Sequence, residues 1–184
     1  MPEENYEYPR CIRMQFSDPA VEHPEMKAWG RGIEHDKTND VLGKFKRGEY
    51  CLMLEIGRPM LGVRLYQVES LLTKLISLGF DVQKDNPLFL LMTDKDSGKL
   101  KSEVLNEKIM NATIEIKLFE HNVVSSCEKI IQLLNELDTV VSVGLLTRFD
   151  DDGSLPIIQK LENIGICVRP NAKINVGLGR PLVD

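Results

Sequence analysis

The chain has no apolar run long enough to cross a bilayer, and no Cys-x-x-Cys pair. It has no Walker loop, no G-x-G-x-x-G fingerprint, and no serine or cysteine in a nucleophile elbow. Each absence removes a class of function: membrane span, zinc ribbon or thioredoxin-type redox centre, phosphate-loop nucleotide hydrolysis, dinucleotide binding, and serine or cysteine hydrolysis. An excess of positive charge is also missing. The formal net charge is −5, which disfavours non-specific nucleic-acid binding, because displacing phosphate counterions needs a basic face. The first ten residues, MPEENYEYPR, are acidic and polar rather than basic and then apolar, so no signal peptide is expected. These features lead us to expect a soluble cytoplasmic protein with no membrane partner, no nucleic-acid partner and no cofactor.

Cysteine is sparse and scattered, at 11, 51, 127 and 167. Three of the four lie in apolar runs (YCLML, SSCEKII, GICVRP), which fits buried reduced thiols and not a disulfide framework. A four-cysteine metal site is the alternative. The three histidines, 23, 35 and 121, are far apart, and the single tryptophan, Trp29, sits in the glycine-rich stretch AWGRG. Trp29 reads as a packing anchor, with a stacking platform beside Arg31 as the alternative.

What is present divides at about residue 49. Residues 1–49 are polar and broken by Pro2, Pro9, Pro19 and Pro24. Only CIRMQF (11–16) reads as a strand there, and the segment is expected to be an arm that packs on the body or on a second subunit. Residues 50–184 read as an α/β domain. YCLMLEI (50–56) is an almost continuously apolar strand. Leu61, Leu65, Val68, Leu72 and Leu75 recur at helical spacing up to Gly79. FDV (80–82) and PLFLLM (87–92) read as short strands. Residues 94–110 fit either a hairpin or a helix over 100–109 with Leu100, Val104, Leu105 and Ile109 inward, and the spacing favours the helix. TIEIKLF (113–119) alternates as a strand does. Residues 123–137 form a second amphipathic helix, with Asn122 at its N-cap position. VVSVGLL (140–146) reads as a buried central strand. Ser154 caps a helix over 155–164, and ICV (166–168) and KINVGL (173–178) close the chain.

The first six elements of this order match a ferredoxin-like β-α-β-β-α-β unit if the helix over 100–109 forms. The rest reads as a second, related segment sharing one core, with half-units 50–119 and 112–184. An internal echo between 78–92 and 164–178 points the same way: helix end, glycine, short strand, turn, strand.

Gly-Arg-Pro occurs twice, at 57–59 and 179–181, each time ending a strand-like run. Glycine permits the exit, proline stops ladder pairing and holds the preceding residue extended, and the guanidinium is left at the sheet edge. Arg58 and Arg180 are therefore the candidate anion-binding residues. Two further features are weighed beside them. Asp150, Asp151 and Asp152 end a strand and precede a helix, where they fit an Asp-Gly turn, with a Mg²⁺ site as the alternative. His121 ends a strand before a helix, a place where a general base can sit.

With no complete catalytic constellation, the leading expectation is a non-catalytic module. It would bind a small anionic metabolite or a protein partner, and act as a regulatory or accessory subunit of a homodimer. The alternatives are an enzyme acting on a phosphorylated or carboxylated metabolite and an assembly factor with only protein ligands. A charge-assisted bond from an arginine to a carboxylate or phosphate contributes about 1.5–3 kcal/mol. Loss of either Arg58 or Arg180 is accordingly expected to weaken binding about tenfold or more in an anion titration, and replacement by lysine, which loses the bidentate fork, to weaken it as well.

Overall fold

The computed structural model describes residues 7–18, 20, 45–57, 61–84 and 86–170. In chain order its elements are α1 (Ile12–Gln15), β1 (Glu49–Ile56), β2 (Val63–Arg64), α2 (Leu65–Ser77), β3 (Asp81–Val82), β4 (Met92–Asp94), β5 (Lys99–Leu100), β6 (Lys108–Ile109), β7 (Ala112–Phe119), α3 (Val123–Leu134), β8 (Val141–Leu146) and α4 (Pro156–Glu162). The described fold is mixed α+β. Its main sheet is antiparallel, with strand order β3-β7-β1-β8, and two short two-stranded ladders, β2-β6 and β4-β5, lie beside it. Among the described residues no helix is long and apolar enough to cross a membrane.

Alternation sets the layers. In β1 the even-numbered Leu52, Leu54 and Ile56 are fully buried, and they pair with the equally buried Ile116, Ile114 and Ala112 of β7. These residues meet Val68, Leu71, Leu72 and Leu75 of α2 and Val123, Cys127 and Ile130 of α3 in one core. The odd-numbered face is different. It carries Cys51, Met53 and Glu55 opposite Lys117, Glu115 and Thr113.

Several expected elements take another form. Residues 87–91 are a 3₁₀ helix and not a strand. Asn86 Oδ1 accepts the Leu88 N–H at 3.0 Å, and Pro87 follows as the first helical residue. The region 94–110 is not a helix. It is the hairpin β4-β5, a 3₁₀ turn over Ser102–Val104, and β6. Leu100, Val104 and Ile109 are all buried, as the helical spacing required, but a separate short element delivers each one. The hairpin wins because Gly98 (φ +75°) brings its tip onto α2, where a Cβ would meet Ile76 Cδ1 at 2.9 Å. Glu69 of α2 then accepts the Leu100 N–H at 2.7 Å. The fourth and fifth elements of the expected six-element unit are thus absent from 87–109.

Among the described strands β8 lies at the edge of the sheet and not at its centre. An uncharged apolar run reads as buried, yet Ser142, Val143 and Gly144 are exposed because β8 has one described neighbour. Residues 166–168 form no strand, although Ile166 and Val168 pack on the core. Neither proposed cap bond forms. Asn122 Oδ1 accepts the Phe119 N–H at 2.8 Å, behind the helix it was to cap, and Ser154 donates its N–H to Asp152 while Leu155 takes the cap position. The last strand, 173–178, and with it half of the internal echo, lies outside the described residues.

Residues 11–16 are helical rather than extended. One turn of helix places Ile12 and Phe16 on the same side, and both are buried in the main core. Ser17 Oγ accepts the Met110 N–H at 3.0 Å, and Arg13 pairs with Glu107. Phe16→Ala is accordingly expected to lower unfolding stability by about 3 kcal/mol in urea titration.

Candidate functional site

The chemistry-bearing residues gather at the two ends of β1, about 25 Å apart for a strand of its eight residues.

At the C-terminal end, β1 exits through Gly57 (φ +92°), whose N–H donates to the Val140 carbonyl at 2.7 Å. A Cβ there would lie 2.9 Å from the Met110 carbonyl, so glycine is required. The chain is described again from Leu61. It turns at Gly62 (φ +67°) into β2 and then directly into α2. An open groove of about 550 Å³ lies here, lined by Leu61, Arg64, Tyr66, Gln67, Lys108 and the 137–140 segment.

Two cations dominate this groove. β2 and β6 pair Val63 with Ile109 and Arg64 with Lys108. Like charges directly opposite each other on a ladder are destabilising. Both side chains are exposed. Arg64 Nη1 donates to the Asn106 carbonyl at 2.7 Å, which orients the guanidinium without neutralising it. Gly62 holds the aliphatic stem of Lys108, with side-chain carbons 3.1 and 3.3 Å from where a Cβ would stand. Gln67 closes one side, its amide donating to the Asp138 carbonyl at 3.2 Å. Among the described lining residues Asp138 carries the one acidic side chain.

The N-terminal end of β1 holds the other expected residues. His121 is exposed, its ring stacked on Phe119 with centroids 5.8 Å apart. Tyr50 donates its hydroxyl to Glu120, and Lys160 of α4 pairs with the same carboxylate. Burial pushes the Tyr50 phenol up, and the Glu120 carboxylate adds to the shift. Lys160 and then Tyr50 hold the Glu120 carboxyl below its usual value. The acidic loop is engaged in structural bonds. Asp151 accepts two bonds from Arg47, one of them at 2.8 Å, and Arg47 lowers its pKa. Asp152 accepts the Ser154 N–H at 2.9 Å, and Asp150 closes the turn through its backbone carbonyl to the Gly153 N–H. Among the described residues no three histidine, cysteine, aspartate or glutamate side chains converge as metal ligands. Cys51 and Cys127 are buried, and burial pushes the Cys127 thiol up to about 11, while Cys167 is exposed.

The structure therefore brings His121, Asp150, Asp151 and Asp152 to one end of the sheet and the groove to the other. Arg58 and Arg180 fall outside the described residues. The chain flanks of Arg58 are both at the groove: Gly57 bonds to its Val140 wall, and Leu61 lines it. Sequence reasoning missed the Arg64–Lys108 pair. The two residues are 44 positions apart, and only the β2-β6 register places them side by side. Comparison with family models, with curated proteins and with solved structures finds no match for the chain.

The Tyr50–Glu120–Lys160 triangle carries a pH prediction. The folded-state pKa of Glu120 is depressed, so its contribution is complete above the usual value of 4.5 and is lost as pH falls through the folded-state pKa. Tyr50→Phe is expected to cost about 1 kcal/mol at pH 7. The gap from the parent protein should close as acid protonates Glu120, as read in urea unfolding at a series of pH values.

Proposed function

We propose that this chain is a non-catalytic α/β module that holds a small anionic metabolite in the groove at the C-terminal end of β1, and that it serves as a regulatory or accessory subunit of a homodimer. The observation that carries the reading is the Arg64–Lys108 pair. Two exposed cations opposed on a ladder repel each other, and an anion bridging them turns that repulsion into two charge-assisted contacts. The groove also lies at the start of α2, where the helix dipole favours negative charge.

A ferredoxin-like frame belongs to the proposal. Support comes from β1, α2, β3, β7, α3 and β8, which run in the order β-α-β-β-α-β with strands arranged β3-β7-β1-β8. Residues 83–111 then form an insertion between the third and fourth elements. This is an argument about architecture, and the function rests on the groove alone. The enzyme alternative requires the arginines, His121 and the aspartates to share one pocket. His121 and the aspartate loop lie at the far end of β1 from the groove, which favours the binding module.

Titration calorimetry with inorganic phosphate, a nucleoside monophosphate and a short dicarboxylate tests this. At least one anion should bind, and Arg64→Ala and Lys108→Ala should each weaken it about tenfold or more. Lys108→Glu should abolish binding while leaving the ligand-free fold as stable as before, or more so, because the like-charge pair becomes an opposite-charge one. Failure of all three anions to bind at millimolar concentration would overturn the reading.

A further inference from the structure

The groove at the end of β1 is larger than its cations require. Its volume of about 550 Å³ falls within the range of about 300–1,000 Å³ that small-molecule sites span, and a bare anion held by two side chains fills only a small part of it. Much of the remaining lining is apolar. Leu61, Tyr66 and Val140 line the groove, and they are three of the ten large apolar side chains exposed among the described residues, at 48%, 48% and 36%. Exposed apolar side chains scattered singly need no explanation, but their gathering in one concave place beside charge marks a ligand site.

The cations specify the head of the ligand. Arg64 and Lys108 are directly opposed on the β2-β6 ladder, so their side chains leave the same face. Among the described residues neither is paired with a carboxylate. A carboxylate brings one charge and two oxygens, and neutralises one of the two cations. A phosphate monoester brings up to two charges and three terminal oxygens, enough for the guanidinium fork and the ammonium together. Asp138, exposed on the 137–140 wall, repels a second anionic end and so disfavours a dicarboxylate. Tyr66 specifies the body. Its backbone N–H donates to the Leu105 carbonyl at 2.9 Å, which fixes its place in the first turn of α2. Among the described residues no hydrogen bond or ring contact occupies its side chain.

We infer that the ligand of this groove is a phosphate monoester carrying a flat aromatic ring, of which a nucleoside monophosphate is one example. The phosphate bridges Arg64 and Lys108, and the ring stacks on Tyr66, with Leu61 and Val140 completing the apolar lining. The inference rests on the proposed function and deepens it by naming the class of anion. Charge selects the phosphate, and the exposed aromatic ring selects a ligand with a π-face of its own, since stacking on tyrosine gives affinity that an aliphatic ester cannot gain.

Titration calorimetry of the full chain is the test, with inorganic phosphate, glycerol 3-phosphate, phenyl phosphate, adenosine monophosphate and succinate as probes. Phenyl phosphate and adenosine monophosphate are expected to bind about tenfold or more tighter than glycerol 3-phosphate, which has the same charged head and no ring. Succinate should bind more weakly than any of the esters. Tyr66→Ala should bring the ringed and ringless esters to within about twofold of each other, and Tyr66→Phe, which keeps the stacking face, should preserve the gap. Ringed and ringless esters that bind the parent protein alike, a gap that survives Tyr66→Ala, a gap that Tyr66→Phe abolishes, or succinate binding tighter than phenyl phosphate would each overturn the inference while leaving an anion site in place. If none of the probes binds at millimolar concentration, the groove reading itself fails and the inference falls with it.

Discussion

Everything in this molecule hangs on the antiparallel pairing of β1 with β7. Eight consecutive pairs, from Glu49–Phe119 to Ile56–Ala112, lock the two strands in one register. A slip of one residue would carry Leu52, Leu54 and Ile56 out of the core and bring Glu55 and Met53 in. With the register fixed, the even-numbered face receives α2 and α3. The two ends of β1 then dictate where every other functional feature sits. Gly57 opens the groove at one end, and Tyr50 and Glu49 anchor the Glu120, Lys117 and Lys160 contacts at the other.

The two ends differ in how their charges are satisfied. At the Tyr50 end, cations and carboxylates are matched: Arg47 with Asp151, Lys160 with Glu120, Lys117 with Glu49. Most of these pairs are exposed and each is worth little alone. Their arrangement consumes the acidic loop and leaves it a structural turn. At the groove end two cations stand side by side on β2 and β6, held by Asn106 and by the space that Gly62 leaves. A fold that opposes like charges at one place while pairing them elsewhere is suited to accepting an anion at that place.

The short ladders explain how the groove comes to exist. β2 and β6 are two residues each, too short to be read from periodicity. Their pairing bridges the start of α2 to the stretch just before β7. The Leu65 N–H donating to the Glu107 carbonyl and the Tyr66 N–H to the Leu105 carbonyl tie the first turn of α2 to the same stretch. The insertion between β3 and β7 is thus held to the helix, with Gly98 packed on it at one end and β6 at the other.

The sequence by itself determined the long elements. Strands 50–56 and 113–119 and the helices within 61–78 and 123–137 are visible because one buried face repeats over several turns or pleats, and that repetition is a local property. It also marked Leu100, Val104 and Ile109 for burial, since they are apolar wherever the chain runs, while Leu105, marked with them, is only half-buried. Tertiary structure decided their form. A spacing of four or five residues suits a helix and also a succession of tight turns, and only the contact of Gly98 with α2 chooses between them. Tertiary structure likewise set β8 at the edge of the described sheet, because the number of neighbours a strand has is not written in its own residues. The Arg64–Lys108 pair belongs to the same class: it exists through a register between segments 44 positions apart, and no local pattern encodes a register.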